Sequence, residues 1–260
     1  MKGLKRLAVL VSTLLLTVTA VGCSNKSTSD TQEQKSVVVG YDNTFVPMGF
    51  LDDKGEATGF DVELAREAFK RLDKEVTFQS IDWSMKETEL NSGNIDVLWN
   101  GYTITNERKE QVNFTDPYIE NKQIIVVMAN SDLSTKADLA GKEVGTQQGS
   151  SSVEAIEADE AFQKSLSGEK PLLYDTFDKA LRDLEIGRLN AVVGDEVLIK
   201  YYISQKGSEK YKVLEEDLGE EEYGIATAKT NTELCKQIND VIKEMKDDGT
   251  FDKIYNKWFK

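Results

Sequence analysis

Trp99-Asn100-Gly101-Tyr102-Thr103-Ile104-Thr105-Asn106-Glu107-Arg108 follows a short apolar run, Ile95, Val97 and Leu98, bounded upstream by Ser92-Gly93. That run predicts a short buried strand ending where this stretch begins. Gly101 lets the backbone come close to another group, and Thr103 and Thr105 offer hydroxyls to cap a helix beginning near Asn106. Arg108 falls one turn inside that helix. Strand end, glycine, hydroxyls and guanidinium make a small anion site in the crevice above a sheet, where open α/β folds bind ligands. A guanidinium grips a carboxylate through two parallel hydrogen bonds, so charge and geometry are recognised together. The plain alternative is a solvated arginine beside two ordinary capping threonines.

Strands and helices alternate on either side of this stretch. Upstream, residues 37–41 predict a first strand, leaving Asp42 and Phe45 on the loop at its carboxyl end. Thr58-Gly59 precedes a helix with Val62, Ala65, Ala68, Phe69 and Leu72 on its apolar face. A strand over 76–78 leads to Trp83, and a helix over 86–91 ends at Ser92-Gly93. Downstream, a strand over 123–129 opens a second series, and a short helix over 134–139 stops at Gly141. The strand over 144–147 runs into Gly149 and the serines Ser150, Ser151 and Ser152, which start another helix. Thr176 can cap a helix carrying Phe177, Ala180, Leu181 and Leu184 on one face. A strand over 190–195 ends in the carboxylate of Asp195. Strands over 211–214 and 223–228, then amphipathic helices over 233–246 and 251–259, follow. The count suits two small α/β lobes better than one sheet.

The first residues predict export. Lys2, Lys5 and Arg6 precede an apolar run, Leu7 to Val21, too short for a spanning helix and ending in small residues, as in a secretory signal peptide over 1–22. No later segment approaches the ~20 apolar residues a spanning helix needs. Ala20-Val21-Gly22-Cys23 resembles the bacterial lipobox, which makes Cys23 the lipid-modified first residue of the mature chain. A disulfide is the alternative, but the only other cysteine, Cys235, falls on the core face of a helix at the far end. Residues 23–35 are polar without an aliphatic side chain until the strands begin, and read as a lipidated tether. Anchorage then puts the body on the extracellular face of the bacterial cell membrane.

Charge and composition exclude several functions. The formal charge is −14, and −17 once the three cations of the leader are removed. That argues against nucleic acid and anionic lipid as partners. There is no histidine, which excludes Ser-His and Cys-His nucleophiles and histidine metal sites. With one cysteine left after lipidation, thiolate metal clusters are excluded too, and neither a metal nor a cofactor is expected.

Several strand ends carry polar or aromatic residues that together complement a free α-amino acid. Arg108 and the Ser150 to Ser152 amides suit a carboxylate. Asp195, the Gly101 carbonyl and the Thr103 hydroxyl suit an ammonium. Phe45 and Trp83 can sandwich a side chain, with cation–π attraction if that chain is cationic. Each has an ordinary alternative: core aromatics, a turn aspartate, helix-capping serines.

The runs GYDNTFVPMGF, GEATGFDVELA, GYTITNER, FTDPY, VGTQQGSSS, NAVVGD and DDGTFDKIYNKWF, in this order, closely resemble the extracellular solute-binding proteins of polar amino-acid ABC importers, solute-binding protein family 3. The resemblance spans about residues 37–259. It implies an α/β, two-lobed periplasmic-binding-protein-like fold of type II, each lobe a mostly parallel sheet flanked by helices, joined by a two-strand hinge. One lobe is then 36–119 plus 224–260, the other 120–223. It also implies carboxylate binding by Arg108 and Ser150, ammonium binding by Asp195, and a side-chain pocket lined by Phe45 and Trp83. Gln147, Gly194 and Asn100 stand where the pattern of glutamine-type relatives differs, which disfavours glutamine. Asp42 with two aromatics suits arginine or lysine, with glutamine and cystine as alternatives. The expected ligand-binding set is Asp42, Phe45, Trp83, Asn100, Gly101, Thr103, Arg108, Gln147, Ser150, Ser151 and Asp195. The expected partners are a free amino acid and membrane permease subunits, with the protein itself a monomer. An enzyme on the same scaffold, such as a cyclohexadienyl dehydratase-like protein, is the rival class; a lyase would need an added catalytic domain.

Overall fold

The computed structural model describes residues 36–260; the predicted signal peptide, Cys23 and the tether lie outside the described residues. In chain order, β1 (Ser36–Tyr41), β2 (Thr44–Phe45), β3 (Gly49–Leu51) and β4 (Ala57–Thr58) lead into α1 (Phe60–Arg71). There follow β5 (Glu75–Ser80), α2 (Lys86–Asn91), β6 (Val97–Thr103), α3 (Asn106–Gln111), β7 (Val112–Phe114) and the long β8 (Ile119–Met128). Next come β9 (Val144–Gln147), α4 (Ser151–Ala158), α5 (Glu160–Ser165), β10 (Leu172–Tyr174), α6 (Phe177–Glu185), β11 (Ala191–Asp195) and α7 (Glu196–Lys206). The chain closes with β12 (Tyr211–Val213), β13 (Glu220–Ala228), α8 (Thr232–Asp247) and α9 (Thr250–Phe259). None of these helices is long and apolar enough to cross a membrane.

Two parallel sheets are joined through two shared strands. β5, β1 and β6 run parallel on one side; β10, β9 and β11 run parallel on the other. β8 and β13 pass between them. Glu220 to Tyr223 of β13 pair antiparallel with 119–122 of β8, after which β13 joins β6 and β8 joins β11. This is the two-lobed α/β fold of periplasmic binding proteins, with both lobes hung on one pair of crossing strands. The small sheet β2-β3-β4, which the loop reading of Asp42 to Gly59 did not include, folds over the first lobe.

Burial on both faces explains the sequence pattern. Ile124 and Val126 of β8 join one core cluster while Ile125 and Val127 join another on the opposite face, as alternation in a strand requires. On α1 the predicted stripe of Val62, Ala65, Ala68 and Phe69 is buried. Gly59 has no side chain to cap this helix; instead the Phe60 and Asp61 amides donate to the carbonyls of Pro47 and Met48, both at 2.8 Å, satisfying first-turn donors. Cys235 is buried and unpaired.

Three local expectations are corrected. The stretch from Trp99 to Thr103 is strand, not strand end: all seven residues of β6 are buried because helices cover both of its faces. Thr105 does cap α3, accepting from the Arg108 amide at 3.2 Å, but Thr103, the last residue of β6, points away from that helix and bonds elsewhere. Thr176 sits at the N-cap of α6, yet its hydroxyl bonds Asp178 and no backbone amide.

Candidate functional site

Both lobes contribute to one enclosed cavity. From the first come Phe45, Trp83, Gly101, Thr103 and Arg108; from the second, Gln147, Ser150, Ser151, Phe177 and Asp195. The cavity is ≈ 10 Å³, about the space of one water molecule. The structure thus holds the lobes against each other. Nine of the eleven sequence-predicted site residues face this space. Asp42 and Asn100 do not: the Asp42 carboxylate accepts from Gln147 Nε2 at 2.7 Å, and Asn100 Oδ1 accepts from the Asp42 amide at 2.9 Å, behind Gln147. The Gln147 Oε1 and Asn100 Nδ2 atoms are buried without a hydrogen-bond partner.

Arg108 is 3 % exposed and carries the cation of the site. Its Nη1 donates to the Thr103 carbonyl at 3.0 Å and its Nη2 to the Gly149 carbonyl, across the cleft, at 3.2 Å. The guanidinium lies 4.7 Å from the Tyr102 ring centroid and 3.5 Å from Glu154. Beside it Lys86, buried and not foreseen from the sequence, donates to the same Gly149 carbonyl at 2.8 Å. Burial first, then the Arg108 charge, push the Lys86 amine down to about 8.

Gly101 brings the chain of β6 against the cavity. Its φ is +54°, and a Cβ there would stand 2.9 Å from a Phe45 ring carbon and 3.1 Å from the Tyr223 ring. Its amide donates to Asp61 at 2.8 Å, and Tyr118 donates to the other Asp61 oxygen at 2.8 Å. Burial raises the Asp61 carboxyl to about 7.

Opposite Arg108, Asp195 ends β11 and is 3 % exposed. Its Oδ1 accepts from the Tyr223 hydroxyl at 2.6 Å, Asn121 Nδ2 at 2.8 Å and Gln123 Nε2 at 3.2 Å. Burial and the neighbouring Glu221 hold its carboxyl well above the usual carboxylate range. Thr103 bridges the lobes through Ser151 Oγ at 3.0 Å. Ser150 Oγ donates to the Gln147 carbonyl at 2.7 Å, so neither site serine has a base to activate it.

Sequence reasoning also missed Phe177 as a site residue. Its ring centroid lies 6.0 Å from that of Phe45, so the aromatic wall is drawn from both lobes. The only signal was its place just after Thr176 at a helix start, where an apolar residue reads as core. Glu221, Asn121 and Gln123 lie on the crossing strands, where Gln123 reads as the first residue of an apolar strand and Glu221 as part of the hinge, and nothing local marks them as site residues.

A two-lobed α/β fold with a cation on one lobe, an acid on the other and an aromatic wall between them suits the capture of a small solute carrying both charges. The chain belongs to the bacterial extracellular solute-binding proteins, family 3, whose sequence profile matches residues 37–260. It is 33 % identical over 246 residues to the L-cystine-binding protein TcyJ of Escherichia coli (strain K12), covering 92 % of this chain and 90 % of that one. An ABC uptake transporter substrate binding protein from Streptococcus pneumoniae with bound histidine superposes with a TM-score of 0.84 at 38 % identity, covering 86 % of this chain and 92 % of that one. An ancestral arginine-binding protein bound to arginine gives a TM-score of 0.79 at 41 % identity, covering 87 % and 99 %. These relatives are binding proteins, and this chain is a solute-binding protein of the same kind, not an enzyme.

Proposed function

We propose that this protein captures a free polar L-amino acid between its lobes and delivers it to the membrane subunits of an ABC importer. The observation that carries the reading is that Arg108 and Asp195, from opposite lobes, line one enclosed cavity with Phe45, Trp83 and Phe177. Arg108 exchanges its bonds to the Thr103 and Gly149 carbonyls for the ligand carboxylate, with the first-turn amides of α4 beside it. Asp195, the Thr103 hydroxyl and the Gly101 carbonyl take the ammonium. A space of ≈ 10 Å³ admits no amino acid, so uptake requires the lobes to part and close again. The hinge is the paired segment of β8 and β13, which supports a division into 36–119 with 224–260 and 120–223.

A side chain with N–H donors suits the far end of the cavity. Gln147 Oε1 is a buried acceptor without a partner, and the Asp42 carboxylate stands directly behind that amide. Arginine or lysine is therefore the favoured ligand class, with glutamine and cystine next. The lipobox-like Ala20 to Cys23 supports tethering by lipid to the outer face of the cell membrane.

Calorimetric titration with the twenty amino acids and cystine tests this. A dissociation constant of about micromolar or below, roughly −8 kcal/mol or stronger, is expected for a cationic ligand. Arg108→Glu should abolish binding, and retained affinity would overturn the carboxylate assignment. Asp42→Asn should weaken cationic ligands selectively; equal losses for neutral ones would remove the cationic preference.

A further inference from the structure

Glu221 lies in the run Glu220 to Glu222 on β13, where alternation turns it away from its two exposed neighbours. Its Oε1 accepts from the Thr103 hydroxyl at 3.0 Å, Gln123 Nε2 at 2.9 Å and Asn121 Nδ2 at 2.5 Å. The same two amide nitrogens donate to Asp195 Oδ1. The Val197 amide, which can only donate, fixes the Asn121 orientation by bonding Oδ1 at 3.2 Å, and Gln123 Oε1 accepts from Ser152 Oγ at 2.5 Å. Two carboxyl groups from two strands therefore converge on one pair of amides.

No cation compensates them among the described residues. Arg108 across the cavity is committed to carbonyls and to Glu154. Lys122 on β8 reaches Glu196 at 3.8 Å and Asp217 at 3.7 Å. The other titratable groups are Tyr223, which donates to Asp195, and Glu120, Glu196, Glu220, Glu222, Tyr118 and Tyr255 around an outer crevice of about 880 Å³. Two carboxyl groups that share one pair of amides, Asp195 buried and Glu221 half-buried, resist ionising together.

We infer that Glu221 is a second acid of the amine subsite, and that it and Asp195 together hold one proton which an arriving ammonium group expels. This rests on the amino-acid reading above. The exchange balances: the singly protonated pair gives up H⁺ to solvent as the ligand's –NH₃⁺ takes its place, with no bond of the ligand broken. Burial and the Glu221 charge raise the Asp195 carboxyl well above its ordinary range, in the direction this sharing requires. Glu221 lines both the amide cluster and the outer crevice, which supplies the exit for the proton while Asp195 stays sealed.

Calorimetry in buffers of different ionisation enthalpy counts the protons, with L-arginine as probe and L-glutamine or L-cystine if arginine gives no heat. The wild-type protein should release close to one proton per ligand near pH 7, and its affinity should rise up to tenfold per pH unit. Glu221→Gln keeps an acceptor oxygen but removes one acid; it should still bind while proton release falls toward zero and the pH dependence flattens. 5-Guanidinopentanoate, which lacks the α-amine, should release none from the wild type. Binding without proton release by the wild type, or unchanged release by Glu221→Gln, overturns the inference while leaving the amino-acid reading intact. No binding by any amino acid overturns both.

Discussion

Lys86 and Arg108 donate to a single acceptor, the Gly149 carbonyl oxygen, at 2.8 and 3.2 Å. Both cations belong to the first lobe and the carbonyl to the second, so two charge-assisted bonds close the cleft at one point. The backbone there is tightly seated: Gly149 has φ +73°, and a Cβ on it would stand 3.1 Å from the Ser84 Cα. A ligand carboxylate would take Arg108 from this carbonyl, leaving Lys86 as the bond that persists. Lys86→Met removes an interaction worth about 1.5–3 kcal/mol in the closed state only. The ligand-free variant should show a larger radius of gyration by small-angle X-ray scattering, and affinity should drop by about ten- to a hundredfold. An unchanged radius with unchanged affinity would count against the clamp.

Gly101 is the close-approach point of the cavity wall. Gly101→Ala places a methyl against the Phe45 and Tyr223 rings and puts an L-residue at φ +54°. Strain of about 1–3 kcal/mol is expected. Phe45 must shift, so affinity should fall by more than tenfold while the chain still folds. Thermal melting and titration check both parts, and a variant with wild-type affinity would show that the wall yields freely.

Asp61 makes stability depend on pH. Its carboxyl titrates near 7 in the folded chain against 3.8 in the reference state. The folded state therefore binds more protons between these values, and the contribution, complete below about pH 4, is lost as pH rises through about 7. At about 1.4 kcal/mol per unit the loss is on the order of 4 kcal/mol. Asp61→Asn keeps an oxygen for the Gly101 amide and cannot ionise. Its stability relative to wild type should grow from pH 4.5 to 7.5 in denaturant unfolding; parallel curves would refute the assignment.

Cys23 decides where the protein resides, on the proposed reading. Expressed in a bacterium that lipidates exported proteins, the wild-type chain should partition with membranes and Cys23→Ser should appear in the soluble exported fraction. Membrane retention of the serine variant would refute lipid anchorage through this residue.

Much of the fold was legible because burial imposes period. The α1 stripe and the α8 stripe follow from apolar spacing, the end of the helix at Lys86–Asn91 from Ser92-Gly93, and β11 from a short apolar run. β6 was cut short because Asn100, Gly101 and Thr103 are polar, and single-sequence reading takes polar residues for a strand's end. They are buried because their partners come from elsewhere: Asp61 for the Gly101 amide, and Ser151 and Glu221 for Thr103. α5, α7 and β10 escaped notice since they are short or weakly amphipathic.

Local chemistry was enough to single out Arg108, Thr103, Ser150 and Asp195, since each follows a strand or opens a helix and such ends need no distant partner to be recognised. Which of those ends share a cavity depends on strand order, and strand order is a matter of pairing between residues a hundred positions apart. The register of β8 against β13 alone turns Glu221 inward beside Asp195, and contact between the lobes alone sets Lys86 on the Gly149 carbonyl and Phe177 against Phe45. A charge in a run of charges carries no local mark of burial; only the neighbours supplied by the tertiary fold determine whether it meets water or another acid.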